Sequence, residues 1–446
     1  MGTETGSGQR SWGRAGTLSA HGDPTTVTPE GESSPQEEGD DPMTRPPRAS
    51  PAVRALLVWA PFLACAATAG AQEEGADRHE VRSSFEVAVP LAPAVTTLEG
   101  RPHLVYELHL TNFARGELNL TAIEVLDPEA PDEPIAGFRG EELGRILGGP
   151  GVASDTDRHR VAPGRRVVAY FRLPLDPSAA VPSRVIHRVA YREGEAGSEA
   201  IVAGDAVAVD TRSPVALGPP FRDGVWIAIY DPLGARSHQR VLLALDGEVR
   251  MPARFAIDWF MVDEKGRAGE EDSERVASWH GYGAEVLAVA DATVVAARDS
   301  IEESPTLRRE FDPGLDGGSG NYVSLDLGDG RHVHYEHLKP GSVAVAVGQR
   351  VREGDVVARA GYTGHATGPH LHMHVSDGRV PLAGEGVPWV FRSYELLGAY
   401  PLPFRGSLSS FTEGELWTPV PAGTPKSRSM EMPAPFAVVD FGRRDR

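Results

Sequence analysis

The sequence predicts a mainly β protein, with an antiparallel β-sandwich followed by a second antiparallel β domain that carries the chemistry. Three observations lead there. Fifty glycines and 37 prolines in 446 residues make a turn-rich chain. Short runs of alternating apolar residues, separated by Gly, Pro and Asp, recur from about residue 80 onward. No long stretch carries a 3.6-residue apolar period. With 40% hydrophobic residues the chain is long enough for two or three cores, which excludes wholesale disorder. Its 63 acidic and 44 basic residues give a net charge of −19, and no dense Lys/Arg stripe offsets it, so nucleic acid is excluded as the expected partner.

In chain order, residues 1–42 are acidic and read as a disordered leader or as upstream sequence preceding a true start at Met43. Residues 43–71 read as a signal peptide. Arg45, Arg48 and Arg54 precede the apolar run Ala55 to Ala71, which is short for a membrane span and ends in the small-residue pattern Ala69-Gly-Ala71. Cleavage is expected before Gln72, leaving an exported chain, periplasmic or extracellular and without a transmembrane span. The single cysteine, Cys65, lies inside this segment, so the mature chain has no disulfide; a lipid anchor on Cys65 is the alternative.

Residues 72–218 read as the sandwich, of immunoglobulin-like type, on strand patterns at Phe85–Val89, Leu104–Leu110, Arg166–Arg172 and Val185–Tyr191. His109 and His187 sit inside such patterns, where a packed imidazole is commoner than a ligand. Gly218-Pro-Pro220 marks the next boundary, and residues 219–400 form the second domain, where histidine and glycine become frequent. Residues 401–446 read as a Pro-rich tail.

The densest chemistry lies in Gly368-Pro-His-Leu-His-Met-His374. On a strand, alternation puts His370, His372 and His374 on one face and Leu371, Met373 and Val375 toward a core. Asn321 to Leu338 reads as a hairpin turning at Gly328-Asp-Gly330, with Val333, Tyr335 and His337 sharing a face of the return strand. In Arg254 to Trp259, alternation groups Arg254, Ala256 and Asp258, and Asp258 reads as the only plausible carboxylate beside the histidines.

These pieces, together with Tyr282–Val295, Tyr335-Glu-His-Leu338 and Val347–Val356, resemble in order and spacing the lysostaphin/LytM-like zinc metallopeptidases, over about residues 235–380. The resemblance implies an antiparallel duplicated hybrid motif holding one Zn²⁺ in a groove and cleaving peptides of bacterial peptidoglycan. It implies Asp258 and His372 as zinc ligands, and His370 and His337 as the pair that orients the attacking water and stabilises the developing oxyanion. His374 falls outside the motif.

The pattern breaks at Arg254, where the family has its first zinc-ligating histidine. A guanidinium cannot ligate zinc, and alternation points it at Asp258, where it would oppose a cation. Two ligands are fewer than the three protein ligands usual for catalytic zinc. His238, brought near by a hairpin at Asp246-Gly247, is the expected substitute, and His280 the next candidate. The function expected is therefore a secreted zinc metalloendopeptidase of peptidoglycan. The alternative is an inactive module that binds cell-wall peptide or regulates another envelope hydrolase.

Overall fold

The computed structural model describes residues 83–442, except 151–156, 195, 235–236, 271–273, 309–311, 402–417 and 420–424. The signal segment, Cys65 and the acidic leader lie outside the described residues. Two sheets form the N-terminal unit. The first is built from β1 (Phe85–Ala88), β2 (Ala94–Leu98) and β3 (Arg101–Asn112). The second uses β4 (Leu118–Leu126) and β5 (Pro134–Arg139), and a short helix α1 (Gly140–Ile146) then buries Leu143 and Ile146. β6 (Leu147–Gly148), β7 (Arg160–Val161), β8 (Arg166–Pro174), β9 (Arg184–Glu193), β10 (Glu199–Ala203) and β11 (Val207–Ala208) complete them. Strand order is β1-β3-β8-β6 with β2 on β3, facing β10-β9-β4-β5 with β7 and β11 at its margins. Alternate residues such as Leu104, Leu108, Ile123, Val125 and Val189 fill the space between the sheets.

The second domain opens with β12 (Val215–Leu217) and β13 (Val225–Ile229), then a hairpin of β14 (Leu243–Leu245) and β15 (Glu248–Arg250). Asp246 and Gly247 both have positive φ at its tip, as a tight two-residue turn requires. There follow β16 (Ile257–Val262), β17 (Glu285–Leu287), β18 (Ala292–Arg298), β19 (Asn321–Asp326) and β20 (His332–Leu338). Next come β21 (Arg350–Val351), β22 (Val356–Arg359), β23 (Leu371–Ser376), β24 (Trp389–Phe391) and β25 (Tyr394–Ala399). The last are β26 (Thr418–Pro419), β27 (Lys426–Arg428) and β28 (Ala437–Asp440). The main sheet runs β21-β18-β19-β20-β23-β16-β13-β28-β25-β26. The segment that reads as a tail thus supplies β28, an interior strand between β13 and β25.

Three neighbours in that sheet position the chemistry. β16 pairs antiparallel with β23, setting Asp258 opposite His372, and β23 pairs with β20, setting His372 opposite Glu336. One cross-strand row therefore reads Asp258, His372, Glu336. The opposite face carries Ile257, Trp259, Leu371, Met373, Val375, Val333 and Tyr335, all in the core. That core continues into Ala94, Leu98 and Val105 of the sandwich, and the parallel pair β12-β24 lies beside it, so the two units are joined by packing as well as by chain.

Candidate active site

The site lies in a groove of about 550 Å³ whose walls include Asp258, Glu336, His337, His370, His372 and His374. β23 delivers its three histidines by alternation. His370 donates from Nδ1 to the Gly368 carbonyl at 2.7 Å, and its ring stacks on Phe260 at 4.8 Å, so its Nε2 carries the lone pair, 3.4 Å from Asp258 Oδ1. His372 Nδ1 lies 2.7 Å from Asp258 Oδ1 and its Nε2 3.7 Å from Glu336 Oε1. His374 is 1% exposed, with Nε2 on the Pro381 carbonyl at 3.2 Å and Nδ1 3.2 Å from Glu336 Oε1.

His337 reaches the groove by breaking the alternation of its strand. Val333 and Tyr335 point into the core, and the same phase would bury His337 with them. Its backbone instead takes φ +61°, the left-handed region, and the ring turns to the site face, 4.8 Å from His370 and 5.8 Å from His372 between centroids. The expectation that His337 shares the Val333 and Tyr335 face is corrected on that ground. Its Nδ1 donates to the Thr363 carbonyl at 2.9 Å, leaving Nε2 as the basic nitrogen. Burial first, then the neighbouring His370 charge, lowers its pKa to about 3, so the ring is neutral near pH 7.

Glu336 is the residue that sequence reasoning missed, and it corrects the expectation that Asp258 is the only carboxylate available. Burial alone would raise its pKa, but His372 and then His374 hold it below the ordinary carboxylate value. Glu336, His372 and His374 bring three candidate ligand atoms within 4.8 Å of one another. Carboxylate and imidazole are the donors zinc takes. His374 Nδ1 is buried without a hydrogen-bond partner, an orphaned atom of the kind a cation satisfies, so the donor set fits the metal that the fold implies. His334 is adjacent but committed, with Nδ1 on Ser324 Oγ at 2.9 Å and Nε2 on Ser376 Oγ at 2.8 Å.

Arg254 does not face Asp258. β16 begins only at Ile257; Arg254 lies in the preceding turn, where Ala256 N–H bonds the Ala253 carbonyl at 3.0 Å. Strand alternation therefore does not extend to it. Its guanidinium turns toward the sandwich, where Nε contacts both Glu107 oxygens at 3.0 and 3.1 Å and Nη2 reaches Glu107 Oε2 at 3.0 Å. Nη2 also meets Glu385 Oε2 at 2.9 Å, and Nη1 meets the Gly386 carbonyl at 2.8 Å. A Cβ at Gly386 would fall 2.5 Å from the Pro252 carbonyl and 3.0 Å from Arg254 Cβ, so only glycine admits this approach.

Of the expected substitutes, His280 is not brought to the groove; its Nε2 lies 3.8 Å from Asp263. His238 begins a 3₁₀ turn, His238–Arg240, and its side chain lies outside the described residues. Its neighbours Ser237 and Val241 border the groove. In the sandwich, His187 has the packed role expected of it, with Nε2 2.9 Å from the Tyr106 hydroxyl.

A β-sheet groove lined by clustered imidazoles, the buried Glu336 and the half-buried Asp258 offers the donor set used by metal-dependent hydrolases. Residues 278–383 match the family model described as Peptidase family M23, in keeping with the lysostaphin/LytM-like resemblance of the sequence. The match includes Glu336, His337, His370, His372 and His374, while Arg254 and Asp258 precede it. Among curated relatives, the chain is 29% identical over 93 residues to an uncharacterized metalloprotease of Buchnera aphidicola, covering 21% of this chain and 20% of that one. It is 45% identical over 56 residues to another of Haemophilus influenzae, covering 13% and 11%. The chain thus spans a fifth or less of the length of these relatives. Among solved structures it is similar to the catalytic domain of lysostaphin from Staphylococcus simulans, at 22% identity over 35% of this chain and 80% of that one, with a TM-score of 0.19.

Proposed function

We propose that the chain is an exported zinc metalloendopeptidase that hydrolyses peptide bonds in bacterial peptidoglycan. The observation that carries the reading is the direction of Arg254. Because its charge is neutralised outside the groove by Glu107 and Glu385, the donors around His372 keep an environment that favours a cation. His372, with Asp258 and Glu336 on either side, is the centre of the metal site. Zinc, when bound, lowers the pKa of a water and polarises the scissile carbonyl.

The chain's own residues supply proton handling. His370 and His337, each fixed through Nδ1 on a backbone carbonyl, present Nε2 at the groove, where one can take the proton of the attacking water while the other orients that water. The imidazolium so formed can then donate the proton toward the developing oxyanion or the leaving amine. The signal segment, three arginines followed by the apolar run Ala55 to Ala71, supports export. Among the described residues, no helix is long and apolar enough to cross a membrane. The test is release of soluble peptides from purified peptidoglycan. His370→Ala should retain zinc and lose turnover. A wild-type chain that binds zinc and cell wall but releases nothing would support the inactive binding or regulatory module instead.

A further inference from the structure

We propose that the sandwich sets one side of the substrate groove through Gln239, with Arg172 and Tyr170 as positioning residues, so that affinity for a peptidoglycan peptide depends on side chains that lie outside the groove. This rests on the reading of the groove as a peptide-binding site.

The stretch concerned joins β13 to β14. Among the described residues it carries no strand, only the 3₁₀ turn His238–Arg240. Asp231, Gly234, Ser237 and Arg240 are linked by successive N–H to carbonyl bonds of 3.1, 3.1 and 2.9 Å, which shape the stretch but tie it to no sheet. Yet Tyr230, Asp231, Ser237 and Val241 line the groove. Segments held only by local bonds lie at the low-stability end of a fold, so the side chains that pin this one decide where its groove residues sit.

Those pins come from the sandwich. Gln239 is buried, and its amide works in two directions. Its Oε1 accepts from Arg172 Nη2 at 2.8 Å, and its Nε2 donates at 2.9 Å to the carbonyl of Ala256, the residue before β16. A guanidinium only donates and a carbonyl only accepts, so a neutral amide in this orientation satisfies both. The next residue is held as well. The Tyr170 hydroxyl donates to the Arg240 carbonyl at 3.0 Å, and Arg240 Nη2 donates to the Arg145 carbonyl at 2.9 Å. The Arg240 guanidinium lies 4.9 Å from the centre of the Tyr170 ring, and its Nε closes back on the Pro232 carbonyl at 2.8 Å. Residues 239 and 240 are thus fixed between Ser237 and Val241, and a shift of the pair moves both of those groove residues. Arg254 joins the two units elsewhere, through Glu107 and Glu385.

The experiment compares the full chain with Arg172→Met, Arg172→Lys, Tyr170→Phe and Gln239→Glu, using soluble peptidoglycan fragments released by a muramidase as the probe. The dissociation constant is read on chelator-treated protein, KM and kcat with zinc, and amide hydrogen exchange over residues 237–241. Expected in Arg172→Met are a dissociation constant and KM raised about tenfold, with kcat and zinc affinity within about twofold of wild type. Exchange should quicken at the Gln239 and Arg240 amides and stay unchanged in β23. Arg172→Lys, which keeps a donor toward Gln239, should recover part of the affinity. Gln239→Glu should lose affinity although it gains an ion pair with Arg172, because a carboxylate cannot donate to the Ala256 carbonyl; a mere tie between the units would be strengthened by it. Should Arg172→Met unfold, Tyr170→Phe, which removes one hydroxyl, carries the same comparison. Unchanged dissociation constant and KM in these variants, or a fall in kcat at constant KM, overturns the proposal. If the wild type binds the fragments but cleaves none, the peptidase reading fails and the dissociation constants still decide. If it binds none, the proposal fails together with the peptide-binding reading of the groove.

Discussion

Arg254 offers the sharpest test of how this chain differs from the pattern it resembles. Its side chain is 5% exposed and that of Glu107 6%, so the guanidinium and its bidentate partner are both withdrawn from water, with Glu385 as a second carboxylate at 19%. Replacing Arg254 with Met roughly keeps the volume and removes the charge, leaving the buried Glu107 carboxylate without its guanidinium partner. Breaking a buried pair in this way costs about 3–5 kcal/mol. At roughly 2–4 °C per kcal/mol for a domain of this size, the unfolding midpoint should fall by on the order of 10 °C. Glu107→Gln, which leaves Arg254 its bond to Glu385, should cost about 1–3 kcal/mol. The double variant removes both charges and should be more stable than Arg254→Met alone, a coupling that a double-mutant cycle in urea reads directly. A loss below about 1 kcal/mol for Arg254→Met, the range of an exposed pair, or strict additivity in the cycle, would refute the argument that this arginine is a buried strut between the two units.

Four further outcomes follow from the same geometry. Arg254→His, the residue that the resemblance implies there, should leave zinc affinity unchanged, because position 254 faces Glu107 rather than the groove; tighter zinc binding in that variant would show that the turn can swing inward. His337→Asn should keep the left-handed backbone, which asparagine tolerates, and preserve stability to within about 1 kcal/mol, while turnover on peptidoglycan falls by roughly 10²-fold or more. Tyr335→Phe leaves the buried Val289 N–H, which donates to the Tyr335 hydroxyl at 2.9 Å, without an acceptor, and should cost about 1–3 kcal/mol in urea unfolding. His187, whose pKa burial lowers from 6.5 to about 4, is neutral when folded and protonates more readily when unfolded; its contribution is therefore complete above pH 6.5 and declines as pH falls toward 4, by about 3 kcal/mol in all. His109 shifts in the same direction, again chiefly through burial, so His187→Gln should flatten only part of the stability loss between pH 7 and pH 4.

What the sequence made legible follows where a local period survives folding. The period-2 pattern of β23 correctly separates Leu371, Met373 and Val375, all in the core, from the three histidines in the groove. It fails where the backbone leaves the strand. At Arg254 a turn precedes β16, and Pro252 was the available signal that the strand starts later. At His337 a single left-handed residue reverses the side-chain direction, and nothing local in Tyr335-Glu-His-Leu338 announces it, because the φ is imposed by packing, with His337 N–H on the Ser319 carbonyl at 3.1 Å and Nδ1 on that of Thr363. Glu336 was within reach: if Val333 and Tyr335 face the core, Glu336 must face the histidines. The motif drew attention to its neighbour instead.

Arg254 ties the second domain to the sandwich through one side chain. A histidine at position 254 would offer at most two N–H donors, whereas the arginine meets Glu107, Glu385 and the Gly386 carbonyl together. That commitment holds the side chain away from the groove, whose walls carry Asp258, Glu336 and the histidines. The junction at Arg254 and zinc binding in the groove are therefore separable by measurement. Glu107→Gln should weaken the junction between the units without altering zinc affinity, and His372→Ala should abolish tight zinc binding without loosening the junction.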